Sequence, residues 1–146
     1  MLSSLLSTYS PALDAELRAA LDFCLPPPDD YARMLYYHLG WMDEGQPSLV
    51  AGKRTRPLLT LLCAEAAGGN WQQALPFAAA VELIHNFSLV HDDIQDASPL
   101  RRGRATVWKL WGEPQAINAG DALFTYAHLA AQRAKLCGLE AETILQ

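Results

Sequence analysis

The amino-acid sequence predicts an all-α fold, a helical bundle in which each amphipathic helix buries one face. Every long segment repeats apolar residues at the helical period, and no segment alternates as an exposed strand does. Breaks that contain proline and glycine separate these segments. With 146 residues, of which 51% are hydrophobic, the chain is long enough for one domain with its own core, predicted over residues 1–146.

The first two predicted helices precede a long loop. A helix is predicted from about Pro11 to Cys24, because its leucines recur on one helical face. The run PPPDD at residues 26–30 ends this helix, since proline cannot continue a helix and restricts the residue before it. A second helix is predicted from about Tyr31 to Met42, and the loop DEGQPSLVAGKRTRP follows it.

Further helices are predicted downstream. The third, from about Pro57 to Ala67, opens with proline in its favoured first position and closes at GGN. The fourth, from about Trp71 to Gln95, is apolar on most sides, which predicts a central, buried helix. The loop ASPLRRGRAT, a short turn or helix at Val107–Trp111 and the break GEP follow. A fifth helix is predicted from about Pro114 to Cys137, and LEAETILQ then begins another helix, within which the sequence stops.

Charge and composition exclude several classes of protein. The net charge of −5 argues against general nucleic-acid binding, which needs a basic surface. The three cysteines are scattered through apolar helical patterns and are predicted to be reduced core thiols. The N-terminus lacks the basic region of a secretory signal, and no window is apolar enough for a transmembrane segment. We therefore expect a cytoplasmic protein.

Three carboxylates lie at the predicted end of the fourth helix. Asp92 and Asp96 are one helical turn apart and share a face, while Asp93 lies about 100° round the helix. Carboxylates this close raise one another's pKa unless a cation neutralises them. Two oxygen ligands one turn apart suit Mg²⁺, whose remaining positions water and substrate phosphate fill. The alternative is a solvated acidic helix end, but the buried stretch VELIHNFSLV and the unfavourable end of the helix dipole favour a cation here.

Two basic clusters complement these acids: Arg101, Arg102 and Arg104 in the first, and Lys53, Arg54 and Arg56 in the second. The planar fork of arginine suits bidentate binding of phosphate. The second cluster lies at a helix entry that contains a glycine, where backbone amides also hold anions. The alternative for the first cluster is surface ion pairing with the acids. One acidic metal site and two basic clusters point to two phosphorylated substrates.

One histidine of the fourth helix is a further candidate. His85 lies two turns before Asp92 on the same face, at a distance of about 10 Å. A lone histidine on an apolar helix is often a satisfied core residue, so the spacing leaves a core role and a ligand role open. The other histidines, His38, His91 and His128, show no spacing typical of metal ligation.

Four motifs occur in one order: GKRTRP, AAVELIHNFSLVHDDIQD, LRRGRATVW and INAGDALF. Through these motifs, which cover roughly Gly52 to Ala130, the sequence resembles the trans-isoprenyl diphosphate synthases (polyprenyl synthetases). The resemblance implies that Asp92 and Asp96, with Asp93, hold Mg²⁺ on an allylic diphosphate, which Arg101 also grips. It implies a pocket for isopentenyl diphosphate made by Lys53, Arg56, His85 and Arg102, with Arg54 in the same basic cluster.

The resemblance also implies a reaction and a product range. The allylic diphosphate ionises, the isopentenyl double bond attacks the resulting cation, and a proton is lost. The residues four and five before the first aspartate, Ser88 and Phe87, floor the product tunnel in this family. The bulk of Phe87 favours medium products, around farnesyl to geranylgeranyl diphosphate, and the alternative for Phe87 is an ordinary core residue.

The sequence departs from the family in one serious respect. Family members are longer and carry a second aspartate-rich motif that holds further Mg²⁺, whereas the acids after Asp121 are Glu140 and Glu142, in no such motif. We therefore expect a portion or a short form of a prenyltransferase, or a half-enzyme completed by another copy. The alternative is a non-catalytic diphosphate-binding or regulatory subunit that acts with a full-length partner. A terpene cyclase is disfavoured, because it would leave the isopentenyl pocket without a purpose.

Overall fold

The computed structural model of the chain describes residues 2–22, 29–43, 46–47 and 52–134. Its elements in chain order are α1 (Leu2–Asp22), α2 (Asp29–His38), β1 (Met42–Asp43), β2 (Gln46–Pro47), α3 (Thr55–Ala66), α4 (Leu75–Gln95), β3 (Leu100–Arg101), β4 (Arg104–Ala105), α5 (Val107–Trp111) and α6 (Glu113–Gln132). Helices account for most of these residues, so the all-α prediction is confirmed. No helix in the described ranges is long and apolar enough to cross a membrane.

The first helix is longer than its sequence pattern predicts. We expected it to begin at Pro11, but α1 begins at Leu2 and runs through this proline. Proline in a helix interior removes one backbone donor and normally breaks the helix. Tyr9 is 2% exposed and lies one turn before the buried Leu13, so it extends the apolar face of α1 past the proline. Burial of that face accounts for the continuation of the helix.

The short strands are a second departure from the prediction. Strands β1 and β2 pair antiparallel, as do β3 and β4, and each strand has two residues. Two residues are too few for an alternating pattern to register in the sequence. The predicted end of the fifth helix near Cys137 and the helix predicted for LEAETILQ lie outside the described residues.

One compact unit comprises Met1–Leu25, Arg54–Leu83 and Tyr126–Gln146. Helix α1 packs against α3, and the fully buried leucines among the described residues of this unit are Leu13, Leu17, Leu21, Leu61 and Leu83. Cys63 on α3 is exposed, so the prediction of a core thiol was wrong at this position. Successive helical residues are about 100° apart, and Cys63 therefore points away from the side on which Leu61 is buried. Cys24 and Cys137 lie outside the described residues.

The other compact unit comprises Pro26–Lys53 and Ile84–Thr125. Helix α2 packs against α5 and β1, and the apolar residues buried in this unit include Leu35, Val90, Val107, Ala116 and Leu123. The carbonyl of Ser98 accepts hydrogen bonds from Thr106 Oγ1 at 3.0 Å and Trp108 Nε1 at 2.8 Å. These bonds fasten the segment that leaves α4 to the start of α5, on either side of the β3–β4 hairpin. This unit therefore holds the aspartates and the first arginine cluster on one fastened framework.

Candidate functional site

The last turn of α4 separates the three aspartates into two environments. The amide of Asp96 donates to the carbonyl of Asp92 at 2.9 Å, which is the one-turn spacing expected from the sequence. Both of these side chains are exposed, whereas Asp93 is 2% exposed. In the described part of the chain neither Asp92 nor Asp96 makes an ion pair. Asp92 and Asp96 thus present carboxylates to solvent, while Asp93 turns inward.

Asp93 binds the first arginine of the hairpin. Arg101 Nε donates to both carboxylate oxygens, at 2.9 and 3.0 Å. Burial raises the pKa of Asp93 above its ordinary value, the hydrogen bond and charge of Arg101 lower it, and Asp92 and Asp96 raise it further. The net shift is upward, so the protein holds this carboxylate at an electrostatic cost. Among the described residues, the Nη nitrogens of Arg101 make no hydrogen bond, which leaves them available to an anion.

The three arginines of the first cluster lie on one hairpin but in different roles. Arg101 pairs with Arg104 across the strands, and the two loop residues Arg102 and Gly103 have φ of 53° and 78°. Positive φ at both loop positions is the signature of a type I′ turn. Arg104 faces α2: its guanidinium lies 3.9 Å from the centroid of the Tyr37 ring and donates to the Met42 carbonyl at 2.6 Å. Arg104 therefore anchors the hairpin, and Arg101 is the member whose Nη nitrogens face a ligand, while Arg102 occupies the turn.

A polar pocket lies between this hairpin and α2. It is lined by Tyr37, His38, Asp93, Arg101, Arg102, Arg104, Ala105, Thr106 and Val107. Sequence reasoning missed His38, because one histidine on an amphipathic helix carries no distinguishing pattern. Its Nε2 is buried and has no partner among the described residues. Burial lowers the pKa of His38 to about 3, and the charges of Arg102 and Arg101 contribute to the shift. His38 is therefore neutral at physiological pH and offers a hydrogen-bonding nitrogen to the pocket.

The second basic cluster is divided between the two units. Lys53 belongs to the unit that contains the hairpin and is exposed, whereas Arg54 and Arg56 belong to the other unit. The guanidinium of Arg54 binds the carboxylate of Asp14 on α1, and its side chain is 9% exposed. Arg54 thus already serves a structural ion pair, and the exposed Lys53 and Arg56 are the members that face solvent.

The remaining candidates lie along α4. His85 is half-buried and is among the neighbours that lower the pKa of His38 in the pocket. Ser88 Oγ donates to the His85 carbonyl at 2.9 Å, a bond within the helix. The half-buried ring of Phe87 packs edge-on against His91, with centroids 4.8 Å apart, and against Phe124 at 5.1 Å. Phe87 therefore belongs to an aromatic cluster with α6.

A close contact beside the aspartates was not foreseen from the sequence. His91 Nε2 lies 3.4 Å from the Ile117 carbonyl and 3.6 Å from Asp121 Oδ1 on α6. Its ring occupies the place where a side chain at Gly120 would project. The small residue in the motif INAGDALF was the available signal, since a glycine within a helix often marks a close approach.

The acids fit Mg²⁺ in a limited way. Among the described residues no group of three or more His, Cys, Asp or Glu side chains could hold a metal ion by itself. Mg²⁺ commonly takes one or two carboxylates and completes its octahedron with water and substrate phosphate. The exposed carboxylates of Asp92 and Asp96 are one turn apart and make no ion pair with any residue that the structure describes, so they fit that donor set.

Known proteins match this chain over most of its described length. The family model for polyprenyl synthetases matches residues 43–146. The (2E,6E)-farnesyl diphosphate synthase of Mycobacterium tuberculosis (strain H37Rv) is 54% identical over 94 residues, which are 63% of this chain and 26% of that protein. The geranylgeranyl diphosphate synthase of the same strain is 47% identical over 98 residues, 66% of this chain and 28% of that protein.

Solved structures agree with these relatives. A polyprenyl synthetase from Streptomyces coelicolor superposes with a TM-score of 0.80 at 42% identity, over 92% of this chain and 40% of that one. A geranyltransferase from Legionella pneumophila gives 0.82 at 27% identity, over 98% and 48%. The chain spans about a quarter of the length of the curated relatives named above, 26% and 28%. From its matched residues and its fold, the chain belongs to the polyprenyl synthetase family.

Proposed function

We propose that this protein provides the diphosphate-binding part of a prenyltransferase that condenses an allylic prenyl diphosphate with isopentenyl diphosphate. One observation carries the proposal: Arg101 is fixed through its Nε by the buried Asp93, so its Nη nitrogens are left for a ligand. Two exposed carboxylates lie in the same helical turn as Asp93. A preorganised guanidinium beside a metal-binding pair of acids is a common clamp for a diphosphate.

In this proposal Asp92 and Asp96 hold Mg²⁺, and Arg101 binds the diphosphate of the allylic substrate. The bound metal supplies charge neutralisation for the departing diphosphate. Arg101 contributes in the same direction, because negative charge grows on the diphosphate oxygens as the carbon–oxygen bond breaks. Asp93 keeps the guanidinium in place during this change, so no reorientation of Arg101 is needed. The farnesyl and geranylgeranyl diphosphate synthases among the relatives support this substrate class.

The second substrate is assigned to the other basic residues. We propose that isopentenyl diphosphate is bound by Lys53, Arg56, His85 and Arg102. Arg54 belongs to the same basic cluster, but its guanidinium is held in an ion pair with Asp14. Phe87 and Ser88 precede the aspartates on α4 by about one turn. We propose that the bulk of Phe87 limits the product to a medium chain length. The half-buried position of its ring supports that role, because the ring is neither sealed in a core nor free in solvent.

The complementary acidic motif is proposed to come from further chain or from another copy. We therefore propose that the active form is a homo-oligomer or a complex with a full-length partner subunit, located in the cytoplasm. A prenyltransferase site needs acids on both sides of the diphosphate, and α4 supplies one side.

The proposal is tested by binding and turnover of the 146-residue chain. Isothermal titration with the allylic substrate geranyl diphosphate, with and without Mg²⁺, compares the parent chain with Asp92→Ala and Arg101→Ala. We expect each substitution to weaken binding roughly tenfold or more, since each removes a charge-assisted contact. Glu113→Ala, an exposed acid at the start of α6, is the control and should bind as the parent does. Unchanged binding in both site variants would refute the assignment.

Turnover separates catalysis from binding alone. The chain is incubated with Mg²⁺, isopentenyl diphosphate and geranyl diphosphate, and prenyl products are quantified. Product formation that disappears in Asp92→Ala indicates a site completed by another copy. Mg²⁺-dependent binding without turnover indicates a diphosphate-binding subunit that needs a partner.

A further inference from the structure

Arg102 occupies an unusual backbone position. It is the first loop residue of the β3–β4 hairpin and has φ of 53°, in the left-handed region. Side-chain-bearing residues rarely adopt this conformation, and glycine, asparagine and aspartate are the usual occupants of this turn position. Residues held in such a costly backbone conformation cluster at functional sites, where the conformation directs the side chain toward a ligand.

The guanidinium of Arg102 lies against Gly52, which has no side chain. A Cβ built on Gly52 would lie 2.6 Å from Nη2, 2.8 Å from Cζ and 2.8 Å from Nη1 of Arg102. Real Cβ atoms do not approach other heavy atoms this closely, so the guanidinium lies where any larger residue would put its side chain. The backbone of Gly52 is not in the left-handed region, and its conformation therefore does not require glycine. A side chain at position 52 would instead require the Arg102 guanidinium to move from its present place.

His38 adds no positive charge to the arginines that surround this guanidinium. His38 lines the same pocket and would repel Arg102 if it were protonated. Burial and the two neighbouring arginines lower the pKa of His38 to about 3, so it stays neutral there. The turn thus fixes the backbone from which the Arg102 side chain leaves, and the guanidinium occupies the space that Gly52 leaves open beside a neutral His38.

We propose that Gly52 is a positioning residue for Arg102, and that its missing side chain forms the slot that aims the Arg102 guanidinium at the diphosphate of isopentenyl diphosphate. The inference rests on the proposed function of Arg102. It also explains how the motifs GKRTRP and LRRGRATVW converge, because Lys53 directly follows the glycine on which Arg102 lies. Preorganising a charged side chain in this way lowers the cost of ordering it when the ligand binds.

A double-mutant cycle on ligand affinity tests the inference. Isopentenyl diphosphate is titrated into the parent chain, Gly52→Ala, Arg102→Ala and the double variant. Loss of a guanidinium–phosphate contact should weaken binding roughly tenfold or more in Arg102→Ala. Gly52→Ala should cause most of the same loss, and the double variant should bind no more weakly than Arg102→Ala, because both changes remove one interaction.

A matched glycine controls for general loss of stability. Gly68 belongs to the other unit, has φ of 81°, and a Cβ there would meet nothing within 4 Å. Gly68→Ala therefore strains the backbone without touching the site, and its affinity should equal that of the parent. The NMR resonance of Arg102 Nε–Hε, identified by its loss in Arg102→Ala, should shift in Gly52→Ala and stay in place in Gly68→Ala, both without ligand.

The outcomes separate this inference from the proposed function. If Arg102→Ala weakens binding and Gly52→Ala does not, or if the two losses multiply in the double variant, the role of Gly52 is overturned and Arg102 keeps its own. If Arg102→Ala binds as the parent does, the assignment of Arg102 is overturned and this inference with it. An unshifted Arg102 resonance in Gly52→Ala would also overturn the inference, independently of any ligand.

Discussion

The contact between His91 and Gly120 predicts that Gly120→Ala destabilises the parent chain but stabilises the His91→Ala variant. Gly120 lies inside α6, and its side-chain position is filled by the His91 ring from α4. That ring is held on its other sides, edge-on to Phe87 at 4.8 Å and 3.4 Å from the Ile117 carbonyl. We expect Gly120→Ala to force the ring out of this place.

Two opposing terms set the magnitude. Alanine in a helix interior is more favourable than glycine by about 1 kcal/mol. Inserting a methyl group into occupied space costs typically about 1–3 kcal/mol. The His91 side chain is 31% exposed and has some freedom to swing outward, which places the cost toward the lower end. Gly120→Ala should therefore lower the free energy of unfolding by roughly 0–2 kcal/mol.

Removing the ring should reverse the sign. In the His91→Ala background the added methyl group meets no ring, so Gly120→Ala should raise the free energy of unfolding by up to about 1 kcal/mol. Urea unfolding of the four variants gives the coupling energy, expected at roughly 1–3 kcal/mol. A gain of about 1 kcal/mol from Gly120→Ala in the parent chain would refute the reasoning, because it would mean that no ring opposes the methyl group.

Three further predictions concern Asp93 and His38, two titratable groups of the site. Asp93→Asn should weaken the binding of pyrophosphate both with and without Mg²⁺, because Asp93 acts through Arg101. Asp92→Asn should weaken it only when Mg²⁺ is present, because Asp92 acts through the metal. Titrations of both variants with and without EDTA make the comparison. The pKa of Asp93 is raised in the folded state, so protonation of this carboxyl stabilises the fold at low pH. That stabilisation is lost as the pH rises through the folded pKa. The free energy of unfolding of Asp93→Asn, which has no such proton to lose, should therefore rise relative to that of the parent as the pH rises. The pKa of His38 is about 3 in the folded state, against the ordinary value of 6.5. As the pH drops from 6.5 toward 3, the free energy of unfolding of the parent should fall relative to that of His38→Asn, by up to about 1.4 kcal/mol per pH unit. Urea unfolding at several pH values measures this difference. A pH-independent difference would contradict this.

Local periodicity accounts for what sequence reasoning foresaw. The one-turn relation of Asp92 and Asp96 follows from helical geometry alone, and the structure has it through the Asp96 amide bond to the Asp92 carbonyl. The same geometry turns Asp93 away from them, as expected. Ion pairing of the arginine cluster with the acids was an alternative in the sequence, but the specific pair of Asp93 and Arg101 could not be predicted. That contact depends on the β3–β4 hairpin and its two-residue turn with positive φ at Arg102.

Residues that act through tertiary contact left little trace in the pattern. His38 looks like any polar residue on α2 until its Nε2 is found buried beside two arginines. Gly52 is part of a basic motif in the sequence, and only the structure shows that a larger residue there would displace the Arg102 guanidinium. The extension of α1 through Pro11 has the same origin, since the burial of Tyr9 outweighs the local preference of proline.

The geometry of Arg101 has a consequence for the amino acid that can occupy its position. Its Nε donates to Asp93, while neither Nη nitrogen bonds to any part of the chain that the structure describes, so one side chain has two chemically separate ends. Lysine concentrates its charge on a single ammonium group. At position 101 that group could neutralise the buried carboxylate or meet a phosphate, and either choice would abandon the other anion. Only a side chain whose charge is spread over a fork can serve the interior and a ligand at once.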